Sequence, residues 1–292
     1  MSPAAGWRRA RAKINLTLRV IGRRADGYHE IESLVAFAGL CDWLAFEPGR
    51  ELSLEVGGPR AAEAGPLGDN LVLRAARALS ARIPALTLGC FRLTKHLPAA
   101  AGIGGGSADA AAALRALVDA NGLDIEDARV QAAARETGAD VLLCLSPRAR
   151  MVAGIGDRLG PSVSLPRIFA VVANPRVAAP TPQVFAALGL APGSVLAPAA
   201  QLSAPPALPE SVSLDALCQG RNDLEPAALR VVPAIAGVLD RLSRLPGARL
   251  ARMTGSGATC FALFDDRHSA AAGRRILAAE QPGWWVEATG LR

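Results

Sequence analysis

From Arg9 to Val20 the chain alternates without a break: Ala10, Ala12, Ile14, Leu16, Leu18 and Val20 are apolar, while Arg9, Arg11, Lys13, Asn15, Thr17 and Arg19 are polar. A period of two marks a half-buried strand. It sets Lys13 and Asn15 side by side on the polar face. Turn residues follow at Gly22 and Asp26-Gly27, then strand-like stretches near 31–38, 42–48 and 51–57. Asp69 is a candidate N-cap for a helix from Asn70 to about Arg82. Residues 85–94 read as a strand, and a glycine-rich loop from Pro98 to Gly106 opens at Ser107 into an alanine-rich helix ending near Asn121-Gly122. A helix at 126–136 stops at Gly138, and Asp140 precedes a short apolar strand, Val141–Leu145.

Gly154-Ile155-Gly156-Asp157 is a turn and the candidate domain boundary, dividing the chain into 1–158 and 159–292. The second part predicts a strand at 164–173 and a helix capped by Thr181 with Pro182 at its first position, running through Phe185. A proline-rich irregular segment at 191–210 follows, then helices at 213–219, 224–232 and 233–244. Strands at 249–253 and 259–264 flank Gly255-Ser256-Gly257, and a helix at 267–280 leads to a last strand at 284–288. Helices and strands alternate irregularly, so the fold class is α+β.

Composition narrows the functional classes. Hydrophobic residues make up 51% and charged residues 20% of the chain, which excludes a disordered protein. No apolar run reaches the roughly 18–20 residues of a membrane helix, and the N-terminal residues lack the apolar core of a secretory leader. Five cysteines without C-x-x-C spacing predict reduced thiols in a cytoplasmic protein. The net charge of +6 suits an anionic partner. With aromatics at 4%, a base-stacking platform for nucleic acid is poorly supplied, so a small anionic ligand is favoured. Of 32 basic residues only Lys13 and Lys95 are lysine, and Tyr28 is the one tyrosine. Lysine's compact ammonium is not interchangeable with arginine's planar fork.

The strongest local signal is Pro98-Ala-Ala-Ala-Gly102-Ile-Gly104-Gly105-Gly106-Ser107. Glycines let backbone N–H groups approach an anion, and the following helix adds its positive end. The sequence is neither a Walker A loop nor a G-x-G-x-x-G fingerprint. On glycine content alone it reads equally as a phosphate cradle or as a flexible loop before a capped helix. Phosphoryl transfer also needs a cation and a group to orient the attacking hydroxyl. Lys13 and Asp140 suit those roles, although a lone lysine on a strand is commonly solvated and an aspartate after a helix is commonly a cap.

Taken together, Lys13-Ile14-Asn15-Leu16, the glycine loop and Met253-Thr-Gly-Ser-Gly-Ala resemble the three motifs of the GHMP kinases. Arg23-Arg24-Ala25-Asp26-Gly27-Tyr28-His29-Glu30, Gly138-Ala139-Asp140-Val141 and Asn222-Asp223-Leu224-Glu225 narrow the likeness to members that act on a cytidine diphosphate sugar alcohol in isoprenoid precursor biosynthesis. The resemblance runs from about residue 10 to 265, in chain order. It implies a two-domain GHMP kinase fold, with an N-terminal ribosomal-protein-like two-layer domain and a C-terminal ferredoxin-like domain. ATP and substrate would meet between them, with Mg2+ as cofactor and no metal site built from the protein alone.

The resemblance also implies residue roles. Asp140 would be the base for the accepting hydroxyl, and Lys13 would stabilise the transferred phosphoryl group. Tyr28 and Phe185 would stack on the cytosine, His29 would bond its edge, and Asn15 would position the substrate. Pro98, Gly102, Gly104, Gly105, Gly106 and Ser107 would wrap the ATP phosphates, with Asn70 and Lys95 near the adenosine. Partners would be small molecules only, with no nucleic acid and no membrane, in a monomer or weak homodimer. Two residues depart from the pattern: Ala108 stands where a second serine is common, and Leu142 where a proline is common. Two other readings stand beside this one. A kinase for another small alcohol would not need Tyr28 and His29, and a non-catalytic binder would be expected to lose Lys13, Asp140 or the loop.

Overall fold

The computed structural model describes residues 6–49, 51–196 and 212–292. In chain order the elements are β1 (Arg8–Asn15), β2 (Arg19–Arg23), β3 (His29–Pro48), β4 (Ser53–Gly57), α1 (Leu71–Ser80), β5 (Gly89–Thr94), α2 (Gly105–Ala120), α3 (Ala128–Thr137) and α4 (Ala139–Leu145). There follow β6 (Arg150–Gly154), β7 (Arg158–Ser162), β8 (Ile168–Asn174), α5 (Thr181–Ala186), α6 (Leu214–Gln219), α7 (Glu225–Val231), α8 (Ala234–Ser243), β9 (Leu250–Met253), β10 (Cys260–Phe264), α9 (Arg267–Glu280) and β11 (Trp285–Leu291).

The chain folds as two compact units that interleave along the sequence. The first comprises Met1–Ala12, Leu40–Ala99 and Gly104–Pro147; the second comprises Lys13–Gly39, Ala100–Ile103 and Arg148–Arg292. This division differs from a single cut at 158/159, because the Gly154–Asp157 turn joins β6 to β7 inside the second unit. The two expected strands at 31–38 and 42–48 form one 20-residue strand, β3, whose halves fall in different units.

In the first unit β5 pairs antiparallel with the second half of β3 (Trp43 opposite Thr94) and parallel with β4 (Cys90 opposite Ser53). The helical layer is built around α2, which packs on α1, α3 and α4. Its alanines at 110–113 are fully buried, which allows close approach of neighbouring helices.

Three sequence expectations change here. Asn70, rather than Asp69, caps α1: its side chain accepts from the Val72 N–H. α2 begins at Gly105, two residues before Ser107, with Gly104 as N-cap in the left-handed region (φ 66°). Val141–Leu145 belongs to helix α4, so Asp140 lies in a helical first turn and not ahead of a strand. A five-residue apolar run is ambiguous between strand and buried helix. Gly138, extended at φ 164° and ψ 150°, ends α3 and lets α4 start at once. Every residue from Val141 to Leu145 is buried, so no alternation exists to show the period.

In the second unit the strand order β11–β8–β10–β9 is antiparallel throughout. With the helices between β8 and β9 and α9 between β10 and β11, this is the ferredoxin-like βαββαβ arrangement. Its core includes Val171, Ala173, Ile235, Val238, Leu242, Met253, Phe264 and Leu277. The first half of β3 also belongs to this unit. It pairs with β2 and β6, meets β11 at Ala38–Leu291, and exchanges both backbone bonds between Phe37 and Arg292.

Thr181 does not cap α5; Pro180 holds that position, and the Thr181 hydroxyl bonds Ser256 Oγ at 2.8 Å. From 197 onward, the expected irregular segment at 191–210 falls outside the described residues. Before that point the chain lies against β2, with Gly193 N–H on Arg23 O and Leu196 N–H on Ile21 O. Among the described residues no helix is long and apolar enough to cross a membrane.

Candidate active site

The polar face of β1 is not solvated. Lys13 is 9% exposed and Asn15 is 4% exposed. Within the second unit this face is covered by the turn at Thr254–Gly257 and the short segment Ala100–Ile103. The Asn15 N–H donates to Thr254 Oγ1 at 2.8 Å, and the Lys13 N–H donates to Ile103 O at 2.9 Å. The side chains form a directed chain of bonds: Lys13 Nζ donates to Asn15 Oδ1 (2.8 Å), Asn15 Nδ2 to Ser33 Oγ (2.7 Å), and Ser33 Oγ to Thr17 O (2.6 Å). An ammonium has only donors and a backbone carbonyl only accepts. The amide orientation of Asn15 is therefore fixed from both ends.

Two glycines make room for this cluster. A Cβ on Gly255 (φ +57°) would sit 3.4 Å from Asn15 Oδ1 and 3.9 Å from Lys13 Nζ. A Cβ on Gly102 (φ +75°) would press to 2.4 Å from Gly257 O. The 100–103 segment approaches the 255–257 turn this closely because Gly102 carries no side chain there. Thr259 Oγ1 donates to Ala101 O and pins the same segment.

Also in the second unit, His29 and Phe185 lie ring to ring, 4.8 Å between centroids and tilted by 33°. Tyr28, next in sequence to His29, is 60% exposed. His29 Nε2 is buried without a hydrogen-bond partner among the described residues. Burial, and then the Arg23 charge, hold the His29 pKa below its ordinary value, so the ring is neutral at neutral pH. Thr181 anchors the helix carrying Phe185 to Ser256. An aromatic surface with an unpaired polar ring atom suits a planar base that has both a face and an edge.

In the first unit α2 has no side-chain cap at Gly104. The first N–H groups of a helix have no intrahelical partner, and a glycine N-cap offers them no side-chain oxygen. Gly106 is exposed, while Gly104, Gly105 and Ser107 are partly so. Pro98, at the start of the loop, is buried. Asn70 spends its Oδ1 on the Val72 N–H (3.0 Å) at the start of α1. Asp140 is partly exposed in the first turn of α4.

Lys95 lies beneath the glycine turn and is 4% exposed; its Nζ donates to Asp42 Oδ2 at 2.5 Å and to Asp109 Oδ2 at 2.7 Å. Sequence alone assigns Asp42 and Asp109 no role. A charged residue five places into an otherwise alanine-rich helix is the signal that would have marked Asp109. Ser33, which orients Asn15, carries no such signal, its partner lying 18 residues away; Thr254 lies in the Met253–Ala258 motif, but its bond to the Asn15 N–H spans 239 residues.

Structurally these features define a GHMP kinase. The family models agree: residues 70–147 match the GHMP kinases N terminal domain and residues 210–282 the GHMP kinases C terminal. The chain is 55% identical over 287 residues to the 4-diphosphocytidyl-2-C-methyl-D-erythritol kinase of Rhodopseudomonas palustris, covering 97% of this chain and 96% of that one. It is 56% identical over 285 residues to the kinase of the same name from Methylobacterium radiotolerans, covering 97% and 98%. A crystal structure of 4-(cytidine 5'-diphospho)-2C-methyl-D-erythritol kinase superposes with TM-score 0.74 at 35% identity, covering 98% of both chains. The chain belongs to the 4-diphosphocytidyl-2-C-methyl-D-erythritol kinase family, and it is a kinase.

Proposed function

We propose that the chain transfers the γ-phosphoryl group of ATP to the C2 hydroxyl of 4-diphosphocytidyl-2-C-methyl-D-erythritol, giving the 2-phosphate and ADP for non-mevalonate isoprenoid synthesis. The observation that carries the substrate reading is the buried Nε2 of a neutral His29, which has no partner among the described residues, beside the Phe185 ring. An unmet buried polar atom costs about 1–3 kcal/mol, and a cytosine edge would satisfy it while its face stacks on Phe185 and the exposed Tyr28.

Each remaining residue has a role in the proposal. Asn15, locked by Lys13 and Ser33, positions the sugar alcohol. Asp140 takes the proton of the C2 hydroxyl as its oxygen bonds to the γ-phosphorus. The bond from that phosphorus to the bridging oxygen of ADP breaks, and Lys13 stabilises the charge on the moving phosphoryl oxygens. Gly104, Gly105, Gly106 and Ser107 bind the phosphates through the open turn of α2, with Pro98 and Gly102 shaping the approach. Asn70 lies near the adenosine, and Lys95 acts from beneath the turn.

ATP is taken as its Mg2+ complex. Magnesium binds through one or two carboxylates, phosphate oxygens and retained waters. The described residues hold no cluster of three or more His, Cys, Asp or Glu side chains that would fix it alone. The ion would neutralise phosphate charge. The proposal includes cytoplasmic location and a monomer or weak homodimer.

The test is ADP release with ATP, Mg2+ and 4-diphosphocytidyl-2-C-methyl-D-erythritol, against mevalonate, homoserine and galactose. Turnover with the cytidine substrate alone is expected. Turnover on a control instead would refute the cytosine reading.

A further inference from the structure

Asp42 on β3, Lys95 just after β5 and Asp109 in α2 meet inside the first unit, at 0%, 4% and 3% exposure. Asp42 is fully served. Its Oδ1 accepts from the backbone N–H groups of His96 (2.5 Å) and Leu97 (2.8 Å), and its Oδ2 from Lys95 Nζ. Asp109 is not served in this way: Oδ2 shares the Lys95 ammonium, and the buried Oδ1 has no partner among the described residues.

One ammonium cannot neutralise two carboxylates. With all three groups ionised, the cluster would hold a net negative charge in a dry interior, with one carboxylate oxygen unsolvated. Two neighbouring carboxyls of unequal surroundings keep one proton between them. Asp109, which shares the Lys95 ammonium with Asp42 and has an unserved buried oxygen, is the one that retains it. Burial pushes its pKa up to about 8; the Lys95 charge opposes this and the Asp42 charge adds to it. Lys95 and Asp42 are the charged groups that act most strongly on Asp109.

This cluster sits under the anion-binding turn. A Cβ on Gly105 would lie 3.8 Å from Lys95 Nζ, and Asp109 stands four residues further along the same helix. A nucleotide triphosphate brings several negative charges to that turn. Beneath it, a protonated Asp109 leaves the cluster neutral, whereas an ionised one leaves it negative and opposed to the ligand.

We propose that Asp109 is a positioning residue for the nucleotide: it holds Lys95 beneath the first turn of α2 as a neutral acid, and nucleotide binding is coupled to keeping its proton. This rests on the reading of the α2 turn as the ATP site. A merely structural Asp109 would make stability, but not nucleotide affinity, fall as pH rises. A coupled one makes nucleotide affinity fall as pH rises past the point where Asp109 ionises.

The test is calorimetric binding of a non-hydrolysable ATP analogue to the full chain, between pH 6.5 and 9.5, in two buffers of different ionisation enthalpy. Steady-state KM values for both substrates are measured alongside. Wild type is expected to take up a proton on binding near pH 8 to 9 and to lose about tenfold in nucleotide affinity between pH 7 and 9.5, with KM for the second substrate unmoved. Asp109→Asn keeps the shape and the acceptor for Lys95. It is expected to bind the analogue with one affinity from pH 7 to 9.5, without proton uptake and without the alkaline loss.

ATP's own ionisation is common to both proteins and cancels in the comparison. An unchanged pH profile in Asp109→Asn, or no proton uptake by wild type, overturns the proposal; the second readout needs no variant to fold. Gly106→Val separates the underlying reading, since it should weaken the analogue at all pH values. Unaltered binding there would remove the α2 turn as the nucleotide site and the proposal with it. Weakened binding with a flat wild-type profile would remove the proton coupling alone.

Discussion

Lys13 Nζ donates to Asn15 Oδ1 at 2.8 Å, two residues along the same strand. One bond thus joins the group assigned to the phosphoryl oxygens to the group assigned to the sugar alcohol. Lys13→Met is expected to lower kcat by about 10²–10³-fold, as loss of one preorganised electrostatic contact does. It should also cost about 1–3 kcal/mol of stability, because Asn15 Oδ1 loses its donor in a buried site. Lys13→Arg should not restore turnover, since a planar fork replaces a compact ammonium. Single-turnover rates and thermal melts of the two variants check both effects.

Asp140 lies in the first turn of α4, where a negative charge also favours the helix by about 0.3–1 kcal/mol. Asp140→Asn should therefore melt within a few degrees of wild type. Turnover should drop by about 10²–10⁴-fold, the range for loss of a general base. Near-normal turnover in a folded Asp140→Asn would remove Asp140 from the chemistry.

The His29 pKa is depressed by burial first and by Arg23 second. Its neutral form contributes fully above the ordinary histidine pKa of 6.5. Below that, the unfolded chain binds the proton more readily, so stability falls with falling pH until the native ring also protonates. The same protonation should raise KM for the cytidine substrate on the acid side while KM for ATP holds. NMR titration of the imidazole should give a midpoint below 6.5, and His29→Gln should lack the acid rise in KM.

Gly102→Ala would drive a methyl group to 2.4 Å from Gly257 O at a φ of +75°. Left-handed backbone costs a non-glycine residue about 1–2 kcal/mol, and the clash adds to it. The 100–103 segment must then move away, taking Ile103 O from the Lys13 N–H. A drop in Tm of several degrees and at least tenfold lower kcat/KM are expected. Gly27→Ala, where a Cβ meets nothing within 4 Å, isolates the backbone cost from the clash.

Arg252 is 7% exposed, and its guanidinium donates to the carbonyls of Leu16, Leu217, Cys218 and Gly220. It holds the chain just after Asn15 to the loop before Asn222. Arg252→Met strands those carbonyls at about 1–3 kcal/mol for each that stays dry. Chemical denaturation should show a loss of about 3 kcal/mol or more, and Arg252→Lys should recover part of it.

The period-two pattern at 9–20 locates β1 and the Lys13–Asn15 pairing, because neighbours two apart on a strand share a face whatever covers them, but it hides the break at 16–18 that divides the expected single strand into β1 and β2. It says nothing of that cover, which comes from Thr254–Gly257, far along the chain. The same locality explains why 141–145 reads as a strand and folds as a helix: in a run buried on all sides, polarity carries no period. Asn70 displaces Asp69 as a cap because the choice between two adjacent capping residues is made by the backbone, extended at Asn70 (φ −63°, ψ 132°). Lys95 is legible as a rare lysine beside the glycine loop. Its two carboxylates are not, because β3, the segment after β5 and α2 converge only in three dimensions.

The bond from the Asn15 N–H to Thr254 spans 239 residues, and Ala38 meets Leu291 at the far end of the chain. A ribosome adding about 5–20 residues per second delivers Thr254 on the order of ten to fifty seconds after Asn15. Throughout that interval the nascent segment 13–39 lacks its partners from the chain's last forty residues, and its edges are open to other chains. The strand that carries Lys13 and Asn15 is therefore made well before the segments that complete it.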